Sequence, residues 1–205
     1  MDARVEAVLD AYHQRITKER NEPRVEPPGG RDGGQDQRMR AVGPATGQLM
    51  NTLVRSLDSP HVVEIGTSFG YSGIWLAEAA KAVGGKVTTL ELHDYKSRYA
   101  KSMAEEAGLA DVIDFRVGDA VEMLKGMTQK IDFILLDLWK ELYVPCLEAF
   151  YPLLNEGAII VADNMISSRA GGNVTAYANA IRKLPGVSSV MLPVGSGLEI
   201  SRYLE

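Results

Sequence analysis

A doubly wound α/β fold, with about seven strands that are mostly parallel and end in an antiparallel pair, is predicted by three features of the chain. Short runs rich in Ile, Leu and Val alternate with amphipathic helical stretches, the pattern of strands buried on both faces between layers of helices. Several of these runs stop on a glycine-containing turn or on an acid, and ligands gather outside the carboxyl ends of such strands. The last two runs are joined by Gly195-Ser196-Gly197, a hairpin signal. At 205 residues the chain suffices for one sizeable core, so 1–205 is read as a single domain. Residues 1–40 form its N-terminal helix and flexible loop, and 41–205 its core.

Val5, Val8, Leu9, Tyr12 and Ile16 recur at helical spacing, so the chain opens with an amphipathic helix ending near Arg20. Asn21 to Gln37 holds three prolines and four glycines, too many for a regular element, and reads as a mobile loop, a plain linker more readily than a lid over a site. Gly43-Pro44 introduces a second helix, Thr46 to Leu57. HVVEIGTSFGYSG, from His61 to Gly73, is a buried strand, a glycine turn and the start of a helix that runs to Val83. Gly66 permits a tight turn against a ligand. The spacing Gly66, Gly70, Gly73 does not match the dinucleotide pattern G-x-G-x-x-G. Glu64 lies inside the strand, where a buried acid needs a cationic or hydrogen-bonding partner.

Lys86 to Leu90 is the next strand, and Glu91 at its end can bind both hydroxyls of a ribose. A helix follows to Ala107, stopped by Gly108, then a strand from Val112 to Val117. Asp119 is placed either to cap the following helix or to bond the amino group of an adenine. Phe133 to Leu136 is a strand closed by Asp137, Leu142 to Leu154 is helical, and Ala158 to Ala162 is a strand closed by Asp163-Asn164. The crossover sets these two strands parallel, so both polar clusters emerge on one edge of the sheet. Two carboxylates and an amide oxygen suit Mg²⁺ better than zinc or copper. Each could instead be a helix cap or a turn. Beyond Asn164 come a polar loop from Ser167 to Asn173, a helix from Val174 to Leu184, and strands Val187–Val194 and Leu198–Tyr203.

The composition is that of an ordinary globular protein, 45% apolar and 24% charged. A net charge of −5, with no dense Lys/Arg block, argues against nucleic acid or an anionic membrane as partner and favours a small molecule. The N-terminus lacks the form of a signal peptide, and no apolar run is long enough for a membrane span. One cysteine, Cys146, allows no internal disulfide, so a cytoplasmic setting is expected. Its mid-helix position marks it as a core residue. His13, His61 and His93 are scattered without ligand spacing, and of these His93 is the one near a candidate cofactor site.

These motifs, in this order, resemble the class I S-adenosylmethionine-dependent methyltransferases, with their Rossmann-like sheet, and within them the small cation-dependent O-methyltransferases typified by the catechol and caffeoyl-CoA enzymes. The likeness spans about Ala41 to Glu199 and is carried by VVEIGTSFGYSGIWLA, LELH, LLDLWKELY and VADN, with DLWK and GLE closer to the catechol type. It implies that Val42, Glu64, Gly66, Thr67, Ser68 and Ser72 line the methionine end of S-adenosylmethionine. It gives Glu91 and Leu92 to the ribose, Asp119-Ala120 to the adenine, and Asp137 and Trp139 to the remaining cofactor contacts. Asp137, Asp163 and Asn164 would hold Mg²⁺, Lys140 would be the general base, and Arg40, Lys140, Asn164 and Glu199 would face the substrate, Glu199 bonding the second hydroxyl of a catechol. A lysine beside a divalent cation is expected to have a depressed pKa and so to accept a proton.

Three departures from the catechol pattern stand out: Leu138 replaces a histidine, Arg38 and Arg40 occupy aromatic and methionine gate positions, and SSRAGG replaces a proline-bearing wall. Together they suggest a wider or more polar acceptor pocket, or an acidic phenol. Relatives of this type are often dimers, and the N-terminal helix is a candidate interface. An NAD-dependent reductase is the alternative enzyme, disfavoured by the glycine spacing and by the absence of any Tyr followed four residues later by Lys. A non-catalytic cofactor-binding protein is the other alternative, against which the intact Asp137, Lys140, Asp163, Asn164 and Glu199 set speaks.

Overall fold

Seven strands form one sheet in the order β3-β2-β1-β4-β5-β7-β6, an order that reverses between β1 and β4. The computed structural model describes residues 1–23, 36–166 and 171–205. Most of the loop expected over 21–37, and 167–170 of the loop expected over 167–173, therefore lie outside the described residues.

Helix α1 spans Ala3–Asn21, capped by Asp2, whose side chain accepts from Arg4 N, and α2 spans Pro44–Arg55 with proline in its first turn. Strand β1 (His61–Ile65) leads through the glycine turn into α3 (Tyr71–Ala82), and β2 (Lys86–Glu91) into α4 (Asp94–Glu106). Strand β3 (Ile113–Val117) leads into α5 (Ala120–Lys125), and β4 (Ile131–Leu136) into α6 (Tyr143–Phe150). Strand β5 (Leu154–Ala162) precedes α7 (Gly171–Ile181) and the hairpin of β6 (Val187–Leu192) with β7 (Leu198–Tyr203). Strands β1 to β5 pair in parallel, and β7 runs antiparallel to both β5 and β6, as the Gly-Ser-Gly signal implied.

The expected elements are all present, with shifted ends. The helix expected over Leu142 to Leu154 is shorter: 3₁₀ turns at Lys140–Leu142 and Tyr151–Leu153 flank α6, and Leu154 already belongs to β5. Pro152 has no N–H to continue the α ladder, which tightens that exit. Helix α7 stops before Leu184 because Lys183 and Leu184 bond three residues back, to Ala180 and Ile181. Helix α2 ends at Arg55 rather than Leu57, and β6 at Leu192 rather than Val194.

Alternation along the strands sends Val62, Phe133 and Val161 into a core covered by α1 to α4, and Val63, Ile134 and Ile160 into a second core covered by α5 to α7. Val5, Val8, Leu9 and Tyr12 of α1 are buried in the first core, so the apolar stripe of this helix packs on the body of the chain. Cys146 is buried as expected, and burial pushes its thiol up to about 12. Among the described residues no helix is long and apolar enough to cross a membrane.

Candidate active site

The carboxyl ends of β1, β4 and β5 meet where the strand order reverses, the usual ligand crevice of such a sheet. Leu136 pairs with Ala162, so the next residues, Asp137 and Asp163, leave adjacent strands side by side, and Asp163 N donates to the Leu136 carbonyl at 3.1 Å. Asp137 N likewise donates to the Ile65 carbonyl at 3.0 Å. Gly66, at φ +108°, lies so close to the Asp137 carbonyl that a Cβ there would collide with it. Glycine is thus required for the turn after β1 to lie against the polar edge after β4.

Asp163 is 1% exposed, and its Oδ1 has no hydrogen-bond partner among the described residues. Burial, reinforced by the charge of Asp137, raises its carboxyl up to about 7. Asn164 takes a left-handed conformation, φ +62°, and donates Nδ2 to Asp163 Oδ2 at 3.1 Å. Lys140 Nζ donates to Asp137 Oδ1 (3.1 Å), to the Leu138 carbonyl (2.9 Å) and to the Tyr143 hydroxyl (2.6 Å), three bonds that together use the three N–H groups of an ammonium. Tyr143, fully buried, donates in turn to the Asp163 carbonyl at 2.9 Å. Sequence reading missed Tyr143. Its place three residues after Lys140, one turn on, was the available signal.

Two crowded carboxylates, one with an unpartnered buried oxygen, and an adjacent amide are what a hard divalent cation would complete. Among the described residues no group of three or more His, Cys, Asp or Glu is placed to hold a metal, so a cation bound here would need the Asn164 amide as its third ligand.

On the β1 side, Glu64 is wholly buried. Burial raises its carboxyl up to about 7, partly offset by the hydroxyls of Ser72 and Thr89, and Thr89 Oγ1 donates to Oε2 at 2.5 Å. Its Oε1 has no well-formed hydrogen bond among the described residues. The expected partner is therefore a hydroxyl rather than a cation. Thr67 spends its hydroxyl on Thr89 (2.5 Å) and its N–H on the Leu90 carbonyl (3.2 Å), so it has no donor left for a ligand. Ser68, at φ +48°, donates N–H to Glu91 Oε2 at 2.8 Å and its hydroxyl to the Met39 carbonyl at 2.6 Å. Glu91 Oε1 also accepts from His93 N at 3.0 Å. Asp119 caps α5 by accepting from Glu122 N at 3.1 Å, and Ala120 beside it is buried. Val42 and Ser72 are buried, and Leu92 and Trp139 are exposed.

Two predicted acceptor residues are placed differently from the rest. Glu199 is 0% exposed, and Arg182 donates Nε and Nη2 to its two oxygens at 2.7 Å each while Ser189 Oγ donates at 2.5 Å. Among the described residues neither oxygen of Glu199 is bonded to Lys140, Asp137, Asp163 or Asn164. Arg40 is exposed and paired with Asp36 at 2.5 Å, and Arg38 turns its guanidinium to the carbonyls of Glu19, Glu22 and Pro23 at the end of α1.

A doubly wound sheet with a glycine turn after β1, an acid after β2 and a polar acidic edge after β4 and β5 defines the class of Rossmann-like methyltransferases. Residues 34–204 match the O-methyltransferase family, and the chain belongs to it. It is 35% identical over 133 residues to a catechol O-methyltransferase of Mycobacterium tuberculosis, covering 64% of this chain and 59% of that protein. It is 30% identical over 181 residues to caffeoyl-CoA O-methyltransferase 2 of Eucalyptus globulus, covering 76% of this chain and 72% of that one. The chain thus spans about three fifths of the length of the bacterial catechol relative. The O-methyltransferase of Bacillus cereus, solved in complex with SAH, superposes with a TM-score of 0.77 at 26% identity, covering 99% of this chain and 91% of that one.

Proposed function

We propose that this chain is a Mg²⁺-dependent O-methyltransferase that moves the methyl group of S-adenosylmethionine to a hydroxyl of a small catechol-like or other phenolic acceptor. The observation that carries this reading is the buried, unpartnered Oδ1 of Asp163 beside Asp137, with Asn164 and Lys140 on the same edge. The relatives named above and the SAH complex of the Bacillus protein support it, and neither the NAD-dependent nor the non-catalytic alternative is favoured by them.

Asp137, Asp163 and Asn164 would hold the divalent cation, which supplies positive charge that lowers the pKa of a bound hydroxyl. The donor supplies a sulfonium methyl for in-line displacement. Glu91 and Leu92 would take its ribose, Asp119-Ala120 its adenine, and Val42, Glu64, Gly66, Ser68 and Ser72 its methionine end, with Trp139 at the rim. Lys140 would accept the acceptor's proton at Nζ, for which it must first exist as the free amine and give up at least one of its three bonds. The Tyr143 hydroxyl bridges Lys140 Nζ and the Asp163 carbonyl, and Arg40 and Asn164 would face the acceptor. Positioning the oxygen against the methyl carbon supplies much of the rate.

The test is methyl transfer over a panel of catechols with and without EDTA, alongside Lys140→Met. Chelation should abolish turnover and K140M should lower kcat about a hundredfold or more, as loss of a general base does. Sustained methylation in EDTA, or full activity of K140M, would sink the reading.

A further inference from the structure

A chain of polar contacts runs from α1, outside every motif named from the sequence, to the acid expected to hold the donor's ribose. Arg15 Nε donates to Glu19 Oε1 at 2.9 Å, and Met39 N donates to Glu19 Oε2 at 3.0 Å. The Met39 carbonyl accepts from Ser68 Oγ at 2.6 Å, and Ser68 N donates to Glu91 at 2.8 Å. Arg15 also donates Nη2 to the Gln37 carbonyl at 2.6 Å, and its guanidinium lies 4.2 Å from the centroid of the Phe69 ring. Tyr12 donates its hydroxyl to the Phe69 carbonyl at 2.5 Å, and Tyr95 to that of Asp36 at 2.7 Å. Residues 37–39 and Phe69 are thus bound to α1, Asp36 to α4, and Met39 to Ser68.

The clasp holds an unusual piece of backbone. Arg40 and Ser68, one beside Met39 and the other bonded to it, are both non-glycine residues at positive φ, +49° and +48°. Such conformations persist only where surroundings over-determine them, and they gather at ligand clamps. The clamped stretch contains the expected donor contact Ser68, lies next to Gly66 and Val42 in the chain, and is bonded to Glu91. Arg15 and Glu19 are largely buried, with side chains 25% and 16% exposed, so their pair is shielded from much of the screening that weakens surface ion pairs.

We propose that Arg15 and Glu19 are positioning residues for the methyl donor, an inference that rests on the donor reading above. They touch no expected donor contact themselves. They act by fixing Met39, which fixes Ser68, which orients Glu91. Removing either lets the strained loop relax before the donor arrives, so the ordering must be supplied on binding.

Calorimetric binding of S-adenosylhomocysteine to the full chain tests this, with wild type, Arg15→Met, Glu19→Gln, the double variant, and Lys18→Ala as an exposed control on the same helix. Each single variant should raise the Kd about tenfold, and the double variant should be little worse than either single one, because both act through one chain. Arg15→Lys, which keeps the charge and one donor, should recover part of the loss. The acceptor KM at saturating donor should stay within about twofold, a split that general loosening of the fold would not produce. Wild-type binding with both single variants within twofold of it overturns the clasp alone. Affinity lost only in step with a collapse of Tm in the ligand-free protein makes the role structural and also overturns it. A wild-type chain that does not bind S-adenosylhomocysteine overturns the donor reading and the clasp together.

Discussion

Asp163 and Glu199 are both buried carboxylates at the same end of the sheet. Glu199 pairs in register with Ala162, one residue before Asp163, yet their surroundings are opposite. Glu199 receives three hydrogen bonds, two from one guanidinium. Asp163 has a second carboxylate as neighbour, one oxygen without a partner among the described residues, and a carboxyl raised by burial and by Asp137. The contrast teaches that burial by itself does not mark a site. A buried acid that the fold has satisfied is part of the framework, and one left unsatisfied is where an external charge belongs.

The largest blow to that contrast is to unpair Glu199. Arg182→Met strips the bidentate partner from a buried carboxylate and should lower stability by about 2 kcal/mol, less than the 3–5 of a fully buried pair because Arg182 is half exposed. Adding Glu199→Gln to Arg182→Met should restore most of the loss, since a neutral side chain needs no cation. Denaturant melts of the two variants decide it. If Arg182→Met is as stable as wild type, Glu199 is not held as described.

A smaller effect is the pH response of the unsatisfied acids in metal-free protein. Glu64 and Asp163 are both raised to about 7 in the fold, against about 4 for unfolded acids. Between those values the native state holds more protons than the unfolded one, so their contribution to stability is greatest below about pH 4 and falls until about pH 7. In EDTA, Tm should therefore decline more steeply from about pH 5 to 7 in wild type than in Asp163→Asn or Glu64→Gln. Identical slopes in all three would show that neither acid is strained by its surroundings.

The sheet, its crossovers and the acidic ends of β4 and β5 were legible because hydrophobic period and strand-end chemistry are local properties. The ends of α6 and α7 were not, since Pro152 and the i−3 bonds of Lys183 and Leu184 shorten helices whose apolar pattern continues. Glu199 was read from the run GLE, but what it faces depends on Arg182, 17 residues earlier and brought to it only by the packing of α7 on the β6–β7 hairpin. Arg15 and Glu19 formed an unremarked i,i+4 pair on a helix, and Arg38 was judged by its position rather than by the helix end it caps. Glu199 and Arg38 bond groups distant in sequence, where composition and spacing carry no signal, whereas the local Arg15–Glu19 pair gains its meaning only through Met39, far along the chain from Glu19.

The smallest effect tests whether the unsatisfied edge is also a tuned one. Tyr143 is the sole buried side chain bonded to both Lys140 Nζ and the Asp163 carbonyl among the described residues, and its ring meets Tyr177 edge-on at 5.4 Å. Tyr143→Phe keeps the ring, its packing and the shape of α6, and removes one oxygen. Lys140 then loses one of three acceptors, and the carbonyl beside the proposed metal ligands loses its donor. A hydrogen bond of this kind contributes about 1 kcal/mol, so kcat should fall roughly three- to tenfold, far less than in Lys140→Met, with acceptor KM unchanged. The split matters more than the size. A loss confined to KM would mean that the hydroxyl shapes the acceptor pocket, and an unchanged kcat would mean that Lys140 finds its place without it.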